Sequence, residues 1–331
     1  MMLLEDGFWR IRHLQQIKSE KRSHVVVPRE VGSIINTIGD LKGLNYYPQK
    51  TPWDTFGNGF NDTIIANDFN IVKSMGLNSI RIFIQYEDFG KADVKSEKLD
   101  RLKTTMDLAL ECDLKVMITL FDFYGDYDVT NWTLTQRHAE TIVTAFKDHP
   151  ALLGWDIKNE PDLDFDSRGQ RRVLSWLNEM LIKIKQWDKN HPTTIGWSSP
   201  EAAVNLSNEV DFVSYHYYRE PEEFLAAHNE LKSAVSNKPL ILQEYGYSSY
   251  DGFWNIYQGS IEDQIDYYET MQRQLGEAGI PFIFWTFYDF EKVPTDVAGS
   301  LPWRTRKQHF FGCIDQEGNR KKVFEILDQN Q

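Results

Sequence analysis

The chain has 331 residues, 41% of them apolar and 14% aromatic, and its 36 Lys and Arg against 49 Asp and Glu leave a formal charge of −13. That length suits one large α/β barrel or two ordinary domains. The acidic balance argues against nucleic acid or an anionic membrane surface as partner, no apolar run approaches the ~18 residues that cross a bilayer, and the aromatic excess fits a neutral ligand that stacks, such as a sugar.

Residues 1–38 follow no regular pattern. The start, "MMLLEDGFWRIRHLQQ", lacks the basic-then-apolar order of a signal peptide, so no leader is expected in the chain as given and the compartment stays open. "HVVV" at 24–27 reads as a strand that could close a barrel floor, and the segment is expected to be a packed N-terminal extension before a catalytic barrel over 39–331.

From residue 42 short apolar or β-branched runs alternate with longer amphipathic stretches. The runs are "KGLNYY" (42–47), "SIRIFI" (79–84), "LKVMITLF" (114–121), "LLGWDI" (152–157), "TTIGWS" (193–198), "VDFVSYHYY" (210–218), "PLILQEYG" (239–246) and "PFIFWTF" (281–287). Between them Leu99, Leu102, Met106 and Leu110 keep helical spacing. So do Val173, Leu177, Met180 and Ile184, then Ile261, Ile265, Tyr268 and Leu275, and "RKKVFEIL" (320–327) is a final helix. Strict alternation of strand and helix predicts parallel strands joined by crossover helices, and eight such units fit a (β/α)8 TIM barrel. A doubly wound sheet would carry a Gly-rich phosphate turn after its first strand; here that strand runs into "NYYPQKTPW".

Barrel chemistry sits at the C-terminal strand ends. The fourth run leads into Asn159-Glu160-Pro161, and the seventh carries Glu244. Alternation puts Leu240, Leu242 and Glu244 on one strand face and Ile241 and Gln243 on the other. Asn159 and Glu160 are adjacent, so both face one cleft only if the strand ends in a bulge or turn, which Pro161 favours. Two carboxylates at one mouth are what glycoside hydrolysis requires: one protonates the leaving oxygen, the other attacks the anomeric carbon or activates water. Cys112 and Cys313 form neither a disulfide framework nor a zinc-ligand pattern, and whether they pair is open. No metal or organic cofactor is expected.

"WDIKNEP" followed by "ILQEYG" resembles glycoside hydrolase clan A, and "GLNYYPQKTPW" with "IFIQYEDF" is similar to its endo-mannosidase-like branch near family five. The likeness covers about residues 41–290. It implies a retaining glycosidase with Glu160 as acid/base and Glu244 as nucleophile. Arg81 in "SIRIF", His216 and Tyr218 in "SYHYY", Trp285 in "FWTFYDF" and Asn159 match the family's supporting and sugar-contacting positions. Many family-five enzymes carry a His at the end of strand three; here "TLFDFYGDYD" offers Asp122. On this reading Arg81 and the Tyr218 hydroxyl hold the Glu244 charge, and a negative Glu244 favours a proton on Glu160. Asn159 donates to the sugar 2-hydroxyl.

Each residue also has a plain alternative: Arg81 as a floor ion pair, His216 as a core histidine, Trp285 as packing. Trp285 is expected to floor the subsite of the sugar under attack; Trp53, Trp132, Trp254 and Trp303 lie in candidate loops and are better further platforms than Trp155 and Trp197, with Trp254 the preferred one. The loops 247–259 and 291–318, long and without clear secondary structure, either build extra subsites or wall off one end of the cleft. The expected substrate is a β-linked mannan- or glucan-type polysaccharide or oligosaccharide, acted on by a monomer. An exo-acting β-mannosidase or β-glucosidase is the alternative. A silent sugar-binding barrel would have lost a carboxylate, and an aldolase would use a Schiff-base lysine, for which only Lys158 is placed.

Overall fold

The computed structural model describes residues 2–5, 8–11, 37–235, 237–252, 259–298 and 301–330, with backbone alone at 2–5, 8–11, 296 and 302–304. "HVVV" and Trp254 lie outside the described residues, and for Trp303 only the backbone is given. Met2–Glu5 and Phe8–Ile11 pair as an antiparallel ribbon.

Eight parallel strands close into a barrel. They are β1 (Lys42–Asn45), β2 (Ser79–Gln85), β3 (Lys115–Asp122), β4 (Leu152–Asn159), β5 (Thr193–Trp197), β6 (Val213–Tyr217), β7 (Leu240–Tyr245) and β8 (Phe282–Phe284). Each pairs with its sequence neighbours, and β8 returns to β1. The expected (β/α)8 fold is therefore present. The outer helices are α1 (Asp62–Ser74), α2 (Ser96–Glu111), α3 (Trp132–Phe146), α4 (Gln170–Trp187), α5 (Phe224–Ala234) and α6 (Ile261–Ala278). After β8 come α7 (Thr295–Ala298), α8 (Pro302–Gln308) and α9 (Lys322–Leu327).

One crossover departs from strict alternation. Between β5 and β6 the described chain forms only a short 3-10 turn, Ala202–Val204, and no α-helix. Pro200 precedes that turn and Asn205, Ser207 and Asn208 follow it, so the apolar spacing never extends over the turns a stable helix needs.

Helix ends follow local chemistry. Asn61 and Ser260 accept backbone N–H bonds at the starts of α1 and α6. Gly279 closes α6 at φ 61°, a left-handed turn that glycine takes at little cost.

The period-2 pleat divides the strand residues between two layers. Ile80, Ile82, Val116, Ile118, Leu240 and Leu242 face outward into one large apolar cluster with helix residues such as Phe69, Met106 and Leu177. Inside, Ile38, Leu41, Met117, Leu153, Phe212, Ile241 and Ile283 form a separate apolar floor. Above that floor the interior turns polar: Asn45, Arg81, Thr119, Asp156 and Gln243 are all fully buried. Among the described residues no helix is long and apolar enough to cross a membrane. Cys112 and Cys313 are both free thiols.

Candidate active site

Four register shifts mark the barrel among the described residues. β3 holds one extra residue against β2 between Thr119 and Asp122, β4 one against β3 between Leu152 and Gly154 and another against β5 between Asp156 and Asn159, and β7 one against β6 between Leu242 and Glu244. The β7 bulge corrects the simple alternation. Leu240 and Leu242 face the helices, Ile241 and Gln243 face the interior, and the extra residue turns Glu244 inward as well. At the end of β4 Glu160 adopts φ 46°, ψ 51°, a left-handed conformation, while its N–H still donates to the Gly196 carbonyl at 2.7 Å. The bulge and this turn bring Asn159 and Glu160 to the same cleft, as their adjacency required.

The cleft is lined by Tyr47, Asp122, Asn159, Glu160, Tyr218, Glu244 and Trp285. Single carboxylate oxygens of Glu160 and Glu244 and a ring nitrogen of His216 all lie within 4.8 Å of one another. Glu160 keeps a quarter of its side chain exposed, against 7% for Glu244. The open carboxyl can therefore meet solvent and a leaving group, and the enclosed one faces only the cleft.

Arg81 organises the polar layer. Its Nη1 donates to Glu244 Oε1 at 2.6 Å and to Asn45 Oδ1 at 3.0 Å. Its Nη2 donates to Asp156 Oδ2 at 2.7 Å and Asn159 Oδ1 at 2.8 Å, and its Nε is shared between Thr119 Oγ1 at 2.9 Å and Asp156 Oδ2 at 3.1 Å. Asp156 neutralises the guanidinium from below and is itself fixed by the Gly196 N–H at 2.9 Å and the Thr119 hydroxyl at 2.7 Å. A buried charge set of this kind is tolerable only because nearly every lone pair has a donor. Because Asn159 Oδ1 is taken by Arg81, its amide N–H2 is left for the cleft.

The Tyr218 hydroxyl donates to Glu244 Oε2 at 2.8 Å. The ring edge is exposed, but the hydroxyl is enclosed; burial and then the Glu244 charge push its pKa well above the usual value, so it stays a donor. His216 is fully buried behind the pair, with Nδ1 2.9 Å from Glu160 Oε1 and 3.5 Å from Glu244 Oε2. Burial works against its charge, yet the Glu244 charge and the Glu160 hydrogen bond prevail and raise its pKa. The expected sugar contact of His216 gives way to a bridge between carboxylates, because the residue does not line the cleft.

Asp122, at the end of β3, accepts from the Tyr47 hydroxyl at 3.1 Å; burial pushes its carboxyl up to about 7 against the pull of Lys158 and Arg81. Lys158 donates to the Asn159 carbonyl at 3.0 Å and pairs with Asp164 at 3.5 Å, which commits the one lysine placed for Schiff-base chemistry.

The Trp285 indole is buried among Tyr47, Trp53 and Phe83, and the Trp285–Thr286 peptide is cis. Trp53 also lines the cleft, whereas Trp132 donates its indole N–H to the Tyr127 carbonyl at 3.1 Å and lies outside it. The segment after β8, expected to lack structure, holds α7 and α8 and contributes Val297, Gln308 and Phe311 to the cleft wall. In the other loop Tyr250 stacks on Phe310 with ring centroids 5.5 Å apart, so that aromatic is packing.

Sequence reading missed Asp156, Thr119, Asn45, Gln243 and Phe123. Asp156 did leave a signal: an acid inside the apolar run "LLGWDI" must find a cation there.

The family model described as cellulase (glycosyl hydrolase family 5) matches residues 44–291. A β-glucuronidase of Chlorocebus aethiops is 26% identical over 267 residues, covering 75% of this chain and 39% of that protein. Mannan endo-1,4-beta-mannosidase 1 of Oryza sativa subsp. japonica is 28% identical over 248 residues, covering 52% of this chain and 56% of that protein. The chain thus spans about two fifths to just over half the length of these relatives. Among solved structures, GH5_18 from Streptomyces cattleya in complex with Manb1-4GlcNAc superposes with a TM-score of 0.71 at 14% identity, covering 88% of this chain and 79% of that one. The exo-beta-1,4-mannosidase Op5Man5 from Opitutaceae bacterium strain TAV5 gives 0.69 at 19% identity, covering 88% and 58%. At these identities the superpositions speak to the fold alone.

Proposed function

The chain belongs to glycosyl hydrolase family 5, a family of glycosidases, and from that premise we propose that it cleaves β-mannosidic bonds in an oligosaccharide or polysaccharide by double displacement, with retention. The observation that carries the mechanism is the 4.8 Å limit on the distance between Glu160 and Glu244 oxygens. That bound on single oxygens supports the close pairing that direct attack by a carboxylate uses, against the roughly 6.5–9.5 Å separation of inverting enzymes.

Glu244 is the nucleophile. Its two oxygens are held by Arg81 and Tyr218, which aim the carboxylate at the cleft. It attacks the anomeric carbon as the glycosidic C–O bond breaks, and Glu160 gives its proton to the departing oxygen. The Glu244 charge is lost in the ester, and Glu160, now the base, takes a proton from water as that water displaces Glu244. The free N–H2 of Asn159 serves the sugar 2-hydroxyl, and Trp285 receives the apolar face of the sugar.

The charge of the lining supports a neutral sugar. Three carboxyl-bearing residues, Asp122, Glu160 and Glu244, face the cleft, and among the described residues no Lys or Arg lines it. A glucuronide's carboxylate would meet only like charge there, so among the similar proteins the mannosidases are the better guide. Between mannan and glucan, both neutral, mannosides are proposed first because a mannan endo-1,4-beta-mannosidase is among the similar proteins. Exo action is a second reading, favoured by Val297, Gln308 and Phe311, which wall the cleft on the side reached from β8.

The test is a panel of mannan, glucomannan, cellulose, xylan, β-1,4-manno-oligosaccharides and aryl β-glycosides, with products sized and their anomeric form followed by NMR. β-Anomeric product from mannosides is expected. A first-formed α-anomer would refute retention, and preference for cellulose or a glucuronide would refute the sugar.

A further inference from the structure

A second hollow adjoins the cleft. It is lined by Tyr86, Glu87, Phe123, Tyr124, Asp126 and Arg168, and it shares Asp122 and Phe123 with the cleft itself. The cleft encloses about 180 Å³ and its neighbour about 420 Å³. Alone the cleft falls below the roughly 300–1,000 Å³ of ligand sites, and with the hollow it comes within that range.

Phe123 stands at the junction. Its side chain is 45% exposed, and among the described residues it has no aromatic partner, although Tyr86 and Tyr124 pack edge to face at 5.2 Å in the wall nearby. Its backbone is left-handed, with φ 56°, a conformation rare for an aromatic residue. Such a turn places a bare ring at the mouth of a cleft instead of in the core, and an outlier of this kind is a reason to look for function. Arg168 lies over Gly125, where a β-carbon would come within 3.7 Å of its guanidinium, and it forms no ion pair among the described residues. Tyr86 and Tyr124 carry hydroxyl acceptors and donors, and Glu87 and Asp126 keep the hollow from being cationic overall. Hydroxyl groups on a ring with an apolar face match this lining, and because Glu87, Asp122 and Asp126 outnumber Arg168 a neutral sugar suits it better than a uronate.

We propose that this hollow is a second sugar subsite, in which Phe123 stacks on a neutral sugar unit adjoining the one at the cleavage point and Arg168 donates to its hydroxyls. The inference rests on the glycosidase reading only for the identity of the ligand. The subsite makes the enzyme prefer oligosaccharides over single aryl-sugars.

The experiment compares wild type with Phe123→Gly, Phe123→Trp and Arg168→Gln. Glycine tolerates the left-handed backbone and removes only the ring, so a folding defect is not expected. For β-1,4-mannotetraose, Phe123→Gly should lower kcat/KM at least about fivefold more than for 4-nitrophenyl β-mannoside, the order expected for loss of one aromatic stacking partner. Phe123→Trp should restore most of it, and Arg168→Gln should show a smaller loss of the same kind. Equal losses on both substrates overturn the proposal. A parallel arm needs no turnover: mannotetraose and cellotetraose binding is measured by calorimetry in the Glu160→Gln background with and without Phe123→Gly. If wild type hydrolyses no mannoside, the functional reading fails, and this arm still decides the subsite. Weaker binding of either tetraose without the ring supports it, and unchanged or undetectable binding of both refutes it.

Discussion

Arg81→Lys keeps the charge and removes the fork, and its effect can be worked out from contacts. The five N–H groups of a guanidinium serve Asn45, Thr119, Asp156, Asn159 and Glu244. An ammonium has three, so at least two buried acceptors lose their donor. At about 1–3 kcal/mol for each buried group left unpaired, the substitution should destabilise the protein by roughly 2–6 kcal/mol. Glu244 and Asn159 also lose their aim, and removal of a preorganised electrostatic contact of this type costs on the order of 10² in kcat. The control is Arg219→Lys. Arg219 makes a two-point pair with Glu201 at 2.7 and 2.6 Å, but both side chains are at least half exposed, and the change should cost under about 0.5 kcal/mol. Guanidinium unfolding at fixed pH gives the stabilities and an aryl glycoside gives kcat. If the two variants lose equal stability, or Arg81→Lys keeps kcat within threefold of wild type, the argument that the buried fork organises the site is wrong.

Glu160→Gln and Glu244→Gln should each cut turnover of a natural substrate by orders of magnitude while the fold survives; on an activated aryl glycoside the first should retain the glycosylation step, seen as a burst, and the second should lose it, so equal loss in both would remove the role assignment. Asp68, buried in α1, accepts from the Tyr46 and Tyr288 hydroxyls, and burial raises its carboxyl from 3.8 to about 6. Its folded pKa lies above the unfolded one, so the associated stability is full below the unfolded value and is lost as pH rises through about 6. Asp68→Asn should therefore gain on wild type by up to about 3 kcal/mol between pH 4 and pH 8, and a difference that does not change with pH would contradict this. The Glu160, His216 and Glu244 ligand atoms are close enough together to receive an ion, yet His216 Nδ1 is already hydrogen-bonded to Glu160. Activity should survive a chelator, and loss restored by one specific metal would overturn the metal-free mechanism.

The barrel and the strand carrying each carboxylate were legible in sequence because both are local matters. Period-2 and period-3.6 runs need no knowledge of partners, and Glu160 and Glu244 each follow such a run. What failed was anything set by pairing between strands. The extra residue at Glu244 and the two in β4 appear only when register against the neighbours is known, so simple alternation put Glu244 with Leu240 and Leu242. The resemblance of "SYHYY" to the family's pattern puts His216 among the sugar contacts, yet its side chain is fully buried and lies between the two carboxylates. The missing helix after β5 was hidden by assuming that every crossover is alike. Phe123 was invisible for a different reason: nothing in "TLFDFYGD" marks a phenylalanine as left-handed and exposed.

The left-handed backbone at Glu160 has a consequence for engineering. A residue with a β-carbon held there costs on the order of 1 kcal/mol, a strain glycine would not feel. The proposed acid/base thus occupies a position where thermodynamic pressure and chemical need oppose each other. A library screened only for heat resistance would be drawn toward glycine at this position and would return well-folded barrels without a proton donor. Stabilisation of this protein by directed evolution therefore has to be coupled to turnover at every round, or it will select against the catalyst.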